Sequence, residues 1–354
     1  MTVVPRTRFA LPAQRSATEP PEARGLRRDG VRLLVAEDDA VWHARFRDLG
    51  RFLAAGDLVV VNTSGTLAAA VDTAGPVVHF STRLDAPGEW VVELREPDQS
   101  GPLRSGRPGQ RIALPDGASV TLLDPVAGGD RLWRAAIDTP GGTEAYLSRH
   151  GRPISYRYLR GRWPLADYQT VFAREPGSAE MPSAGRPFST DLVTELVGAG
   201  VTIAPITLHT GVSSLENGEP PQPERYRVPA ATARLVNWVR GSGGRVIAVG
   251  TTVARALETV ARPDGRVGAG QGWTDLVLGP DRPARVVDGL ISGLHEPEAS
   301  HLLLLEAVAG PALVQRTYDA AVRGGYRWHE FGDSCLLLPG RFRGVDSAPV
   351  HRET

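Results

Sequence analysis

Around residue 250 the chain changes period within a few positions. Val246-Ile247-Ala248-Val249 is a continuous apolar run rich in β-branched residues, as expected of a buried strand. It ends in Gly250-Thr251-Thr252 and passes at once into a helical pattern, Val253 to Thr259. A junction of this kind presents backbone N–H groups and two hydroxyls at a helix N-terminus, where the partial positive charge suits an anionic or polyhydroxy ligand. The same strand-then-helix rhythm recurs. Short strands are predicted at Arg32 to Ala36 and Leu58 to Val61, the latter entering Asn62-Thr63-Ser64-Gly65. A helix is predicted from Phe46 to Ala55, stopped by Gly56. Further on, a helix at Ser189 to Gly198 precedes a strand at Val201 to Leu208. A Pro-rich loop over 211–229 then leads to a helix at Ala230 to Arg240. Pro297 is placed as the first residue of a helix reaching Ala309, and the tail after Pro339 reads as frayed.

Between about Val71 and Asp138 the pattern is different. Short alternating runs (Val77 to Ser81, Glu89 to Arg95, Gln110 to Leu114, Ser119 to Leu123 and Leu132 to Ile137) are punctuated by Gly, Pro and Asp. This spacing predicts a small β-barrel or sandwich. The expected fold class is therefore mixed, α/β with α+β character. A large discontinuous α/β domain over 1–70 and 143–354 would carry an inserted β-barrel domain over 71–142.

Composition narrows the chemistry. The 354 residues contain no lysine, and 40 basic residues balance 40 acidic ones. Without lysine, Schiff-base chemistry and a P-loop are excluded. The even balance gives no bulk sign of a purely electrostatic nucleic-acid binder. Cys335 is the single cysteine, so an internal disulfide and a cysteine-based zinc site are excluded, and no metal is expected. The apolar stretch His301 to Val314 is interrupted by Glu306 and Pro311 and is too short to span a membrane; a cytoplasmic monomer is expected.

Several segments could carry chemistry. His209 ends a strand, where ligands of open α/β sheets collect. It suits a general base or a ligand contact, or else caps the strand by bonding a carbonyl. Pro182 to Phe188 is a tight loop of small residues, with Gly185 open to close approach by a ligand ring, or simply a helix entry capped by Ser189 or Thr190. Asp288 and His295 flank an apolar strand. His295 precedes a helix N-terminus, which favours a neutral imidazole able to accept a proton, whereas Asp288-Gly289 reads equally as a turn. Asp333 could hold ribose hydroxyls or cap a turn. Arg255 and Glu258, three apart, read as a surface pair on one helix, and Arg24, Arg27 and Arg28 as a solvated loop. The residues alone point to an α/β enzyme with an adenosine-sized or sugar-sized polar ligand.

Taken together, these segments resemble the S-adenosylmethionine:tRNA ribosyltransferase-isomerase family of queuosine biosynthesis. The matching stretches occur in the family's order: Gly56-Asp57-Leu58 with Asn62, Tyr168-Gln169-Thr170-Val171 through Pro182 and Gly185, Thr207-Leu208-His209 with Gly211, and Arg245 to Glu258. They continue with Gly272-Trp273-Thr274-Asp275, Val286-Val287-Asp288, His295 with Pro297, and Tyr326-Arg327 with Gly332-Asp333. The resemblance implies transfer of the ribosyl part of S-adenosylmethionine to 7-aminomethyl-7-deazaguanine in tRNA, with release of adenine and methionine. It implies His209, His295 and Asp288 as catalytic candidates. Gly250, Thr251, Thr252, Arg255, Asp333 and Gly185 would hold the S-adenosylmethionine. The chain also departs from the pattern. Gly65 and Ala70 stand for the arginines of an Asn-Thr-Arg…Pro-Ala-Arg motif, and Pro187 and Gln222 stand for histidines; Arg186 is a possible substitute charge. These losses leave two alternatives: an S-adenosylmethionine enzyme with another acceptor or one that only cleaves it, and a non-catalytic nucleoside-binding homologue.

Overall fold

A computed structural model describes residues 4–98, 100–212, 222–340 and 352–353. Its centre is a ten-stranded sheet. In spatial order the strands are Gly270–Thr274, Glu224–Val228, Thr202–Leu208, Leu58–Asn62, Val246–Val249, Gly289–Gly293, Ser334–Leu338, Arg32–Glu37, Ala40–Arg45 and Arg352–Glu353. The four strands from Thr202–Leu208 to Gly289–Gly293 run parallel to one another, so their carboxyl ends share one edge of the sheet. Side chains of a strand alternate between faces. Val60, Ala248, Leu290 and Leu337 accordingly enter a core beneath the helices Ala230–Gly241, Thr251–Thr259, Ser300–Ala309 and Pro311–Arg323. Val59, Ile247, Ile291 and Leu336 enter a second core with Phe46, Phe188 and the helix Thr190–Gly198. Burial on both faces explains why these strands read as unbroken apolar runs rather than alternating ones.

The segment predicted as all-β contains five of its six strands where the alternation placed them. The sheet is antiparallel, in the order Ala70–Val71, Val77–Arg83, Glu89–Arg95, Leu132–Asp138, Ser119–Pro125 and Arg111–Ala113. Its two edge strands are not hydrogen-bonded to each other among the described residues, so the ladder does not close on itself. It has its own core, built on Phe80, Trp90, Val92, Leu122 and Trp133 and covered by Tyr146 and Leu147 of the helix Thr143–His150. A small parallel pair, Ser64–Thr66 with Glu175–Ser178, lies beside the main sheet.

Three local expectations need correction. The stretch after Phe46 is a 3-10 helix, Phe46–Phe52, because its apolar residues Phe46, Leu49 and Phe52 recur every three residues and eclipse on one side of a three-residue turn. The helix expected from Pro297 begins at Ser300, since Glu298 sits at φ +65° and Ala299 is extended; Pro311 instead opens a further helix that the pattern did not separate. The Pro-rich loop over 211–229 contains the strand Glu224–Val228, and its residues 213–221 lie outside the described residues, as does most of the tail after Pro339. Ser189 does cap the helix Thr190–Gly198, its hydroxyl accepting from the Leu192 N–H at 3.2 Å.

Arg255 and Glu258 are both buried and have separate partners. The Glu258 side chain is 0 % exposed, and one of its oxygens accepts the N–H groups of Arg285 (2.8 Å), Val286 (2.8 Å) and Val287 (3.1 Å). Arg282 pairs with the other oxygen at 3.3 Å. Removing this carboxylate strands three backbone donors, two of them in fully buried bonds. Glu258→Ala should therefore lower unfolding stability by roughly 3–5 kcal/mol. Urea denaturation checks this; a loss under about 1 kcal/mol would refute the assigned role.

Candidate functional site

The carboxyl edge of the four parallel strands opens on a cavity of about 380 Å³. Ligands of open α/β sheets collect at such an edge. The Val246–Val249 strand leaves through Gly250 at φ +93°, a conformation that favours glycine, and a Cβ there would lie 3.3 Å from the Cβ of Ala184. The helix Thr251–Thr259 then starts directly on the cavity, with Thr251 and Thr252 lining it. Asn62, at the end of the neighbouring strand, ties the layers together. Its amide donates to the Leu208 carbonyl (2.8 Å) and to Thr252 Oγ1 (3.4 Å), and its oxygen accepts from the Leu208 and Ser64 N–H groups, each at 3.0 Å.

One helical turn further, Arg255 is 6 % exposed and fully engaged. It donates to the carboxylate of Glu224 and to the carbonyls of Leu276 (3.1 Å), Thr274 (3.1 Å) and Gln222 (3.4 Å). Glu224 lines the cavity, where burial raises its pKa against the opposing charge of Arg255. Arg255 therefore braces the cavity wall through Glu224.

Three histidines line the opposite side. His295 Nε2 is 2.9 Å from Ser292 Oγ, its N–H donates to the Tyr318 hydroxyl at 3.0 Å, and its carbonyl accepts from Trp328 Nε1 at 2.9 Å. Its ring stacks on that of His301, with centroids 4.5 Å apart and planes 3° apart. Burial holds both imidazoles neutral: His301 is lowered from its ordinary 6.5 to about 4, and His295 falls well below the usual range, further depressed by His301 and His329. His329 stacks on Tyr158 at 4.1 Å.

The third wall is aromatic and acidic. Tyr156 and Tyr158 stack at 6.0 Å and donate their hydroxyls to Glu180 and Glu330, respectively. Glu330 keeps part of its surface on the cavity, yet lies deep enough that burial pushes its carboxyl up to about 7; Glu180 adds to the rise and the Tyr158 hydroxyl opposes it.

Of the residues expected at the site, Gly250, Thr251, Thr252, Arg255 and His295 meet at this cavity; the others lie elsewhere. His209 is outside the lining. Its Nδ1 is 2.7 Å from Ser64 Oγ, which is itself 2.6 Å from Ser178 Oγ, and burial lowers its pKa. Asp288 sits at the opposite, amino edge of the sheet, where its carboxylate accepts from the Val246 N–H at 3.0 Å. Asp333 is buried and accepts from the N–H groups of Arg32 and Arg327, both at 2.8 Å, in a strand-end turn. Gly185 lies behind Ala184 against Thr170. Tyr156, Tyr158, Glu180, His301, His329 and Glu330 were not singled out from the sequence. The available signal was the Tyr156-Arg157-Tyr158 alternation, which in an extended segment points both rings the same way.

A family model described as queuosine biosynthesis protein matches residues 5–337. The chain belongs to the queuosine biosynthesis protein family. It is 36 % identical to the S-adenosylmethionine:tRNA ribosyltransferase-isomerase of Symbiobacterium thermophilum and 37 % identical to that of Geobacter metallireducens. Each match covers 93 % of this chain and 98 % of the relative. It is also similar to the crystal structure of S-adenosylmethionine tRNA ribosyltransferase from Thermotoga maritima, with a TM-score of 0.52 and 28 % identity over 93 % of this chain and 99 % of that one.

Gly65 lies in the small parallel pair, one residue past Ser64. Ser64 is the hydroxyl bonded to His209. Arg186 does not restore a charge to the cavity: it lies 2 % exposed outside the lining and donates to the Asp167 carbonyl and to Glu22. Arg24, Arg27 and Arg28 are likewise engaged with the Phe331 carbonyl, Asp191 and the Gln169 carbonyl. Among the described residues, no helix is long and apolar enough to cross a membrane.

The depressed pKa of His301 has a measurable consequence. Between about pH 6.5 and 4 the unfolded chain binds a proton that the folded His301 refuses, so stability falls as pH drops through this window. From pH 8 to pH 5 this histidine should cost about 2 kcal/mol. Urea unfolding should show wild type losing about that much more than His301→Leu over this range. Equal losses would mean that the native His301 is not held neutral.

Proposed function

We propose that this chain catalyses the reaction for which its relatives are named, transferring the ribosyl part of S-adenosylmethionine to 7-aminomethyl-7-deazaguanine in tRNA to give epoxyqueuosine, adenine and methionine. The observation that carries this reading is the meeting of a helix N-terminus and a neutral imidazole on one cavity at the carboxyl edge of the parallel strands. The donor set fits S-adenosylmethionine. The Thr251–Thr259 helix start offers N–H groups and hydroxyls for a carboxylate or ribose hydroxyls, while the tyrosine faces and carboxylates opposite suit a positively charged ligand. When bound, S-adenosylmethionine supplies a sulfonium that acidifies the adjoining ribose C5′ hydrogens.

His295 is the proposed base. In the tautomer assigned to this role Nε2–H donates to Ser292 Oγ and Nδ1 carries the lone pair, which a pKa lowered by burial keeps deprotonated at physiological pH. The bonds to Tyr318 and Trp328 fix the backbone of His295, so the ring is positioned before substrate arrives. Gly250, Thr251 and Thr252 are proposed to bind a polar end of the cofactor, and Arg255 to position Glu224. The core of the inserted sheet supports a second domain around 71–142, and that core draws in Ala70 before it and Tyr146 and Leu147 after it.

A second reading, in which the acceptor differs, is favoured by the engagement of Arg255, the single arginine among the described residues lining the cavity, with Glu224. One assay separates the two. Adenine and methionine should be released from S-adenosylmethionine only with tRNA bearing the aminomethyl base, with a ribosyl-sized mass gain on that base. Release without tRNA would instead establish the second reading. In the productive assay His295→Ala should lower kcat by about 10²–10⁴ while S-adenosylmethionine still binds. Unchanged turnover in that variant, with loss in His209→Ala, would transfer the base role to His209.

A further inference from the structure

His301 lines the cavity without a hydrogen bond. Among the described residues its imidazole has no polar partner, and neither ring nitrogen is sealed from the cavity. Burial keeps the ring neutral at physiological pH, so one nitrogen carries a hydrogen and the other a lone pair. The parallel stack on His295 fixes the plane of the ring before a ligand arrives. Leu304, three residues further along the helix Ser300–Ala309, turns to the cavity on the same helix face.

An open apolar surface adjoins this imidazole. Val277 is 45 % exposed, and of the large apolar side chains left exposed among the described residues it is the one that lines the cavity. Leu276 lines it as well, and its carbonyl accepts from Arg255 Nε at 3.1 Å. Arg255 is also the charge that acts on His301, so the Leu276–Val277 loop and the imidazole adjoin the same guanidinium. That guanidinium is spent on Glu224 and on backbone carbonyls.

We propose that His301, Leu276, Val277 and Leu304 form the subsite for the adenine of S-adenosylmethionine, with the aliphatic side chains against the face of the base and the imidazole at its polar edge. A ligand that matches this wall has an uncharged, apolar face and a rim of donors and acceptors, as a nucleobase has. A carboxylate would meet an arginine already bound to Glu224, and an ammonium would find no carboxylate acting on His301. Each polar atom on the rim of adenine is complemented by one of the two imidazole nitrogens. This inference rests on the function proposed above, in which the ribose C5′ faces His295. The base carried by the same ribose then belongs beside His295, where His301 stands.

Calorimetric titration of the intact chain tests the subsite. The probes are S-adenosylmethionine, S-inosylmethionine and the 3-deaza and 7-deaza analogues of S-adenosylmethionine, which between them alter every polar atom of the base. Wild type should bind at least one altered probe about 5-fold more weakly than S-adenosylmethionine, the scale of one neutral hydrogen bond. In His301→Leu that ratio should fall to about 1, and His301→Gln, which keeps a neutral donor and acceptor, should restore part of it. Val277→Asn, at an exposed position where substitution leaves folding intact, should weaken all four probes alike by about 5-fold. Equal affinity of wild type for all four probes, or unchanged ratios in His301→Leu, would refute the subsite and leave the proposed function standing. If the variants spare all four probes and instead weaken binding of an anticodon stem–loop carrying 7-aminomethyl-7-deazaguanine, this wall reads the acceptor base and the assignment to adenine is overturned. If wild type does not bind S-adenosylmethionine, the proposed function fails and this inference falls with it.

Discussion

The architecture depends on one backbone turn. At Gly250 the chain leaves the centre of the sheet at φ +93°, a conformation that favours glycine, and reverses into the Thr251–Thr259 helix, where a Cβ would press on that of Ala184 at 3.3 Å. Everything that follows on that helix is set by this turn. Thr251 and Thr252 face the cavity, Arg255 reaches across to Glu224 on the strand next to the sheet's edge, and Glu258 turns to the connection before Gly289–Gly293. The two charged residues are three apart, and together they tie the helix to both flanks of the parallel sheet through buried bonds. A buried ion pair contributes modestly to net stability but is costly to break, so these contacts act mainly to hold one geometry.

That geometry was legible in the sequence where periodicity alone decides structure. The apolar run Val246 to Val249 is buried on both faces, and the alternating runs between Val77 and Ile137 are strands of one antiparallel sheet. The misreadings arose where a local backbone conformation overrode the pattern. Glu298 at φ +65° delays a helix that Pro297 was well placed to start, and a three-residue apolar spacing after Phe46 winds a tighter helix than the one expected.

The site was legible in part, for a different physical reason. A sequence shows which residues end strands but not which edge of the sheet each end occupies. His295 and Asp288 flank the same short strand, and that is why they part: one lies at the carboxyl edge on the cavity, the other at the amino edge holding the Val246 N–H. His209 does end a parallel strand, but it leans toward the Ser64–Thr66 pair and contacts Ser64 instead of the cavity. The tyrosine and glutamate wall was only partly legible: Tyr156, Tyr158 and Glu180 lie within 24 positions, but Glu330 joins them through the Tyr158 bond, across a sequence separation of 172.

The charges of the cavity limit what it can bind. Its lining includes Glu180, Glu224, Glu296 and Glu330, whereas Arg255 is the single lining arginine among the described residues and is held by Glu224. Arg186 is turned away from the cavity to Glu22. Away from the Thr251–Thr259 helix start, a phosphate entering this cavity would meet acidic side chains and neutral imidazoles, a poor environment for an anion. Phosphate contacts dominate the affinity of proteins for nucleic acids. On the proposed function, the guanidiniums that meet the tRNA backbone must therefore lie outside the cavity. The cavity itself then selects by hydrogen bonding, aromatic contact and positive charge on the ligand, the properties of an aminomethylated base and a sulfonium nucleoside.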